Sequence, residues 1–297
     1  VNSEKIPVVL VVEGGKLNYL PAVIKNLSEH CNFENYFVIC PERDIRNAQS
    51  LQYPSNVTVR VIDERLILAG LSFNEVSKKL TLSISGWSEA HLPGWYLQQF
   101  LKMAFSLKFP EYAYYLVWDA DTIPIRKINF FLNGKTALTH GNEFHTPYHS
   151  TISRILPSIK RQGLSHISQH MMVKSTHMRE LIDLIQEGDT CWWELILEKI
   201  GVDSPQQFSE YETYASYCLD MHEDKYISIK RPWFRYGKAY FNSELNSASP
   251  TKLSRIYDYV AFENWDTPTF ARRIRARILV FNDLLAKVCN SIIKNKI

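Results

Sequence analysis

The chain has 297 residues, 45% of them hydrophobic and 13% aromatic, which suits one large α/β domain or a main domain with a small appendage and excludes a disordered chain. Its formal charge of +3 is uneven: from Ala271 onward there are seven basic residues and one acid, Asp283, so the tail carries +6 and the body −3. The body therefore lacks the basic footprint of a nucleic-acid-binding protein. No run of apolar residues approaches the eighteen or so needed to span a bilayer. The first apolar stretch, Val8 to Val12, is too short for a signal-peptide core and has no basic segment before it. The five cysteines, Cys31, Cys40, Cys191, Cys218 and Cys289, show no metal or redox spacing. Reduced thiols in a cytoplasmic protein are the expectation.

In chain order, Val8-Val9-Leu10-Val11-Val12 reads as a buried parallel strand that ends in the loop Glu13-Gly14-Gly15. A helix over Leu17–Leu27 follows, then strands at Tyr36–Cys40 and Val57–Ile62. This order predicts the start of a Rossmann-like open sheet, whose ligands bind beyond the carboxyl ends of the strands. Residues 63–93 read as irregular, with a Gly86-Trp87 turn. A helix over Trp95–Phe109 is ended by Pro110. Tyr114–Trp118 is the next strand, and Asp119-Ala120-Asp121-Thr122 lies at its carboxyl end. Thr136–Thr139 and His170–Lys174 read as strands, and Thr176–Gln186, Cys191–Ile200 and Phe208–Leu219 as helices. Tyr226–Ile229 returns as a strand. The expected organisation is one α/β domain over residues 1–245 and a basic helical extension over 246–297.

Two carboxylates at i and i+2 directly after a buried strand can be aimed into the crevice at the sheet edge. Carboxylate oxygens are hard ligands suited to Mg²⁺ or Mn²⁺, ions that commonly bridge protein carboxylates to substrate phosphates. The pair also fits a plain turn cap. The stretch Tyr115-Leu116-Val117-Trp118-Asp119-Ala120-Asp121-Thr122-Ile123-Pro124 resembles the DxD region of GT-A fold glycosyltransferases, especially bacterial enzymes that build surface polysaccharides and lipopolysaccharide-like glycans. The helix carrying Gly94-Trp95-Tyr96-Leu97-Gln98-Gln99-Phe100-Leu101-Lys102 and the first strand with its loop add to the likeness. It covers about the first four-fifths of the chain as a pattern, with one specific motif.

The resemblance implies a mostly parallel, mixed GT-A sheet flanked by helices. It implies a metal at Asp119 and Asp121 bound to the diphosphate of a nucleotide-sugar, with a late histidine, His222 by its place in the chain, completing the shell. His140 and His170 are further candidates for that third group. Val12, Glu13 and Gly14 would lie on the crevice floor, where glycines let the backbone approach a ligand and Glu13 accepts from the nucleotide. There is no GxGxxG or P-loop pattern, which argues against a dinucleotide or ATP site. Gln98 and Lys102, four residues apart, share a helix face, and Lys102 is a candidate phosphate partner.

Ser209 with Glu212 has the spacing of a helix capping box, which accounts for Glu212 structurally and leaves Glu210 without that duty. By resemblance an acid in this region approaches the acceptor. In an inverting enzyme it deprotonates the attacking hydroxyl, with Glu210 favoured over Glu212. In a retaining enzyme Glu210 orients the acceptor. Sugar rings pack on aromatic planes, and Trp87, Trp95, Trp192, Trp193, Trp233, Phe234 and Tyr236 fall in or near loops. The segment Arg231–Gly237 is expected to close the donor site, with Arg231 on the diphosphate.

Two other classes share these features. A metal-dependent hydrolase of a phosphorylated sugar would use the same carboxylates, though no His/Asp cluster of metallohydrolase spacing is present. A non-catalytic carbohydrate-binding or assembly protein would keep the fold and the aromatic surface without needing the aspartates. In the tail, Phe270, Ile274, Ile278, Phe281, Leu285, Val288 and Ile292 recur every three or four residues, with Arg272, Arg273, Arg275 and Arg277 off that stripe. Lys287, Lys294 and Lys296 extend the positive charge. The helix either packs on the domain or lies in an anionic membrane surface beside a lipid-linked acceptor.

Overall fold

The computed structural model describes residues 6–83, 91–160, 163–201, 204–245 and 250–294. The Gly86-Trp87 turn, Lys296 and the boundary expected at 245/246 fall on or against residues outside these, and the side chains of Ile292 and Lys294 are likewise outside the description. The strands are β1 (Val8–Val11), β2 (Asn35–Cys40), β3 (Thr58–Asp63), β4 (Tyr114–Trp118), β5 (Thr122–Pro124), β6 (Phe131–Leu132), β7 (Lys135–His140), β8 (His170–Lys174), β9 (Tyr226–Lys230), β10 (Trp233–Phe234) and β11 (Tyr259–Ala261). The helices are α1 (Leu20–Cys31), α2 (Glu42–Ser50), α3 (Phe73–Ser83), α4 (Leu92–Lys108), α5 (Thr146–Ile155), α6 (Ser175–Ile185), α7 (Trp192–Lys199), α8 (Glu210–Met221), α9 (Gly237–Phe241) and α10 (Phe270–Lys294).

The main sheet runs β3-β2-β1-β4-β8. The first four strands are parallel and β8 is antiparallel to β4. Both faces are covered, which is why its strands read as continuous apolar runs. Alternate side chains supply two cores: Val9, Phe37, Ile39, Tyr115 and Val117 face one, while Val8, Leu10, Tyr36, Val38, Leu116 and Trp118 face the other. The chain is a mixed, mostly parallel Rossmann-like sheet flanked by helices, with a helical C-terminal region.

The order 3-2-1-4 creates a topological switch point. From β1 the chain winds through α1 to β2 and β3, then returns to place β4 on the other side of β1. Connections from the two strands diverge there and leave a crevice at their carboxyl ends. Two smaller sheets, β10-β11-β5 and β6-β7-β9, extend the fold. β5, expected as loop, is antiparallel to β11 with Ile123 opposite Val260. The segment expected as a helical extension thus also supplies the central strand of a sheet. Gly237 makes this packing possible, because a Cβ there would lie 2.6 Å from the Ala261 carbonyl oxygen and 3.1 Å from the Phe262 ring.

α10 lies against α9 through Ala276, Leu279 and Val280, which join the second core. Asp283 accepts from the Tyr257 hydroxyl on this side, and Lys287 donates to the Arg255 carbonyl. At about 100° per residue, the stripe through Phe270, Ile274, Ile278, Phe281, Leu285 and Val288 falls on the opposite face, and it is exposed, 72% at Phe270 and 60% at Phe281. No helix among the described residues is long and apolar enough to cross a membrane.

Candidate active site

The switch-point crevice opens into a cleft of about 1060 Å³. β1 ends at Val12, whose N–H donates to the Ile39 carbonyl at 3.0 Å. Gly14 then takes a φ of +56°, a left-handed conformation that favours glycine, and its N–H donates to Asp44 at 2.8 Å. This turn aims Lys16 back across the crevice, and its Nζ lies 2.7 Å from Asp121 Oδ2. Burial opposes the Lys16 charge, but Asp121 outweighs it and holds the ammonium above its ordinary range.

The aspartates are fixed from three directions. The Asp119 N–H donates to the Gln169 carbonyl at 2.9 Å, the Thr122 N–H donates to the Asp119 carbonyl at 3.0 Å, and the Phe262 N–H donates to the Asp121 carbonyl at 2.7 Å. Trp118 Nε1 closes the turn on the Thr122 carbonyl at 2.7 Å. These backbone bonds hold the carboxylates at the sheet edge independently of any ligand.

Behind them lies a buried ionic knot. Lys102, on α4, is 4% exposed, and its Nζ donates to Asp119 Oδ1 at 2.7 Å and Glu210 Oε1 at 2.8 Å. The Tyr211 hydroxyl donates to the same Asp119 oxygen at 2.9 Å. Burial works against the Lys102 charge, yet the two carboxylates prevail and keep it protonated well above the usual lysine range. One ammonium cannot neutralise two carboxylates. Burial, aided by Asp119, accordingly raises the Glu210 carboxyl against the opposing pull of Lys102. Gln99 braces the knot by accepting from the Glu210 N–H at 3.1 Å.

The far wall comes from the last third of the chain. Arg235 forms a two-point pair with Glu263, at 2.7 and 3.0 Å, and also meets Glu143. Its guanidinium lies between the Trp233 and Trp265 rings, 5.2 and 5.3 Å from their centroids. Trp95 stacks on Tyr148 at another edge, with centroids 6.3 Å apart and planes at 22°. Among the described residues, the lining holds seven carboxylates (Glu13, Glu64, Asp119, Asp121, Glu210, Glu244, Glu263) and four cations (Lys16, Arg43, Lys102, Arg235), a formal −3.

The cleft thus brings together Val12, Glu13, Gly14, Gln98, Lys102, Asp119, Asp121 and Glu210 from the sequence-predicted set. Three others lie elsewhere. Glu212 is fully buried and turns to Ser165 Oγ at 2.5 Å and the His166 N–H at 2.9 Å. Only half of the expected capping box forms, the Glu212 N–H donating to Ser209 Oγ at 3.2 Å. His222 caps the carboxyl end of α8, whose amino end carries Glu210. A helix of that length spans about 18 Å, which removes His222 from the aspartates. It stacks there on His177, which burial, with His222 and Lys174 adding, pushes down to about 4. Arg231 donates to the Asn129 carbonyl and pairs with Asp258 at 3.8 Å, outside the cleft lining.

Of the other histidines, His170 is buried between Trp118 and Tyr259, and His140 ends β7 away from the cleft. Trp192 and Trp193 are core residues, and Trp87 lies outside the described residues. Lys16, Glu263 and Trp265 were missed by sequence reasoning. Only Lys16 had a local signal, two residues beyond Gly14 at the end of the first strand.

Fold and site together define an α/β protein with a polar, acid-rich cleft at the switch point of a Rossmann-like sheet. The chain belongs to DUF6492, described as a family of unknown function, whose profile matches residues 13–239 and so includes Glu13, both aspartates and Glu210. Mouse xyloside xylosyltransferase 1, solved in its apo form, is similar to this chain with a TM-score of 0.48 and 14% identity, covering 89% of this chain and 99% of that one. No curated protein sequence matches the chain.

Proposed function

We propose that this protein transfers a sugar from a nucleotide-sugar donor, in the first instance a UDP-sugar, to a hydroxyl of a glycan or lipid-linked glycan, with Mn²⁺ or Mg²⁺ held by Asp119 and Asp121. The observation that carries this reading is the meeting of the β1 loop and the aspartate turn at the switch point, where open α/β sheets bind their ligands. The cleft, about 1060 Å³, slightly exceeds the roughly 300–1,000 Å³ typical of small-molecule sites.

The donor set fits a hard divalent ion. Its ligands are carboxylate oxygens, and a lining of net −3 would repel a diphosphate that came without a cation. The Lys16 ammonium against Asp121 already puts positive charge at this point. A bound ion would supply Lewis-acid stabilisation of the charge that develops on the departing diphosphate. Lys16, 37% exposed in its side chain, is free to move from Asp121 to phosphate oxygens. Lys102 is committed to Asp119 and Glu210, so its part is to hold these carboxylates in register. Val12, Glu13, Gly14 and Gln98 face the nucleoside end, and Trp95 with Tyr148 offers an aromatic plane to a sugar ring.

In this reading Glu210, which lines the cleft, takes the acceptor proton. Its raised affinity for protons moves it towards the range in which a general base works at neutral pH. Glu210→Gln keeps the shape and removes proton acceptance, so turnover should fall at least about 100-fold, the usual size of a general-base contribution, with donor affinity little changed. Equal losses in both would place Glu210 in the donor site instead. The reaction itself is tested by incubating the full chain with a panel of nucleotide-sugars, with and without Mn²⁺. Metal-dependent release of nucleotide that rises on adding glycan acceptors supports transfer, and release unaffected by any acceptor supports hydrolysis.

The outward apolar stripe of α10, flanked by Arg275 and Arg277, supports attachment to an anionic membrane surface at the cytoplasmic face, which would bring the cleft to a lipid-linked acceptor.

A further inference from the structure

The far end of α8 holds a second group of side chains that the cleft does not use. His177 and Glu180 are three apart on α6 and so share a face, and His222, at the carboxyl cap of α8, closes over them. The two imidazoles are parallel, with ring centroids 3.7 Å apart and planes at 9°. One ligand atom from each of the three residues lies within 4.8 Å of the other two. His222 Nε2 is 3.0 Å from Glu180 Oε2, and the Tyr217 hydroxyl donates to that same oxygen at 3.0 Å.

We infer that His177, Glu180 and His222 form a binding site for Zn²⁺ or a similar borderline transition ion, separate from the cleft. Two imidazoles and a carboxylate make a ligand set well suited to zinc, with a fourth position left to water. The neighbours supply the outer support that such sites need. His177 Nδ1 lies 2.7 Å from the Tyr226 hydroxyl, which itself pairs with the Tyr214 hydroxyl at 2.8 Å. With Nδ1–H donated to the Tyr226 hydroxyl, Nε2 keeps its lone pair for an ion, as hydrogen bonds do for metal-bound histidines, and the stacked rings would splay apart for both imidazoles to meet it. Lys174 Nζ now lies 3.1 Å from that Nε2. It places a cation beside the nitrogen the metal would take, on a long side chain that can swing aside.

Such an ion would tie α8 to α6. Because α8 presents Glu210 to the cleft at its other end, the site has a mechanical use without touching the chemistry. The inference does not depend on the proposed sugar transfer.

The test is calorimetric titration of the EDTA-stripped full chain with ZnCl₂, beside melting curves. Wild type should bind one ion at this site and melt at a higher temperature with zinc than without. Glu180→Gln and His222→Ala, both at the surface, should weaken binding at least about tenfold, and Tyr226→Phe, which removes the outer hydrogen bond, by about tenfold. Lys174→Gln should bind zinc as tightly as wild type or more so, since it removes the competing ammonium. Asp121→Asn should bind this ion as wild type does, which separates the site from the cleft. Circular dichroism checks that each variant is folded. No micromolar zinc binding by wild type, or binding unchanged in folded Glu180→Gln and His222→Ala, overturns the inference.

Discussion

Lys102 shows how one residue can carry both stability and function. An ammonium 4% exposed is stable there only because Asp119 and Glu210 surround it, and each carboxylate depends on it in turn. Breaking a buried ion pair by removing one partner commonly costs about 3–5 kcal/mol. Lys102→Met should therefore lower unfolding free energy by roughly that amount, measured by urea denaturation, whereas a loss under about 1 kcal/mol would indicate that water reaches the knot.

His170 makes a prediction about pH. Burial, with Arg231 adding, pushes its imidazole from an ordinary value of 6.5 down to about 3, so the ring is neutral in the fold and binds a proton on unfolding. The unfolded state then holds more protons below pH 6.5, and stability falls as pH falls from there towards 3, by up to about 1.4 kcal/mol per unit for one group. His170→Asn keeps a donor for the Ser168 carbonyl, 2.9 Å from Nδ1, and should flatten the stability profile over pH 6 to 4. Denaturation curves with parallel pH dependence in both proteins would show that other groups govern acid sensitivity.

At the scale of elements, strands buried on both faces were readable as apolar runs, and β4 and β8 begin and end where the sequence places them. α4, α6 and α7 were readable from their apolar residues and α8 from its capping residue Ser209. α2 was not, since Glu42–Ser50 is strongly polar, with Ile45 and Ala48 its only apolar residues, and buries only Ala48. β5 is three residues ending in a proline, and its strand character comes from pairing with β11, some 140 positions away. The same pairing places Glu263 and Trp265 at the cleft, and no local pattern announces a contact of that range. Arg231 and Arg235 look alike in sequence. What separates them is β10, which leaves one beside Asp258 and the other between two tryptophans.

α10 was readable as an amphipathic helix, but its orientation was not, because a periodic pattern does not say which face docks. It docks through Ala276 and Leu279 and turns the larger stripe outward, with Arg275 and Arg277 exposed at its sides. Each basic residue near an anionic surface contributes about 1 kcal/mol. The full chain should therefore co-sediment with phosphatidylserine vesicles at low salt and detach as salt rises, while Ile278→Glu combined with Phe281→Glu, on the outward stripe and clear of the docked face, should stay folded and bind far less. Binding to neutral and anionic vesicles alike, or concentration-dependent dimerisation without vesicle binding, would assign the stripe another role.

For the molecule as a whole, the position of the cleft follows from topology and its charge from composition at the strand ends. Eight of the sequence-predicted residues converge there, drawn from the turns after β1 and β4, from α4 and from the start of α8. The acid-rich lining is the feature that most constrains chemistry, since a nucleoside diphosphate has no reason to enter a cleft of net −3 unless a divalent ion comes with it. That coupling can be measured without knowing the sugar or the acceptor. In calorimetric titration of the full chain with UDP, binding should require Mn²⁺ and should disappear in Asp121→Ala with the fold intact. UDP binding of equal strength without metal, or retained by folded Asp121→Ala, would contradict a metal-bridged donor site at the aspartate turn.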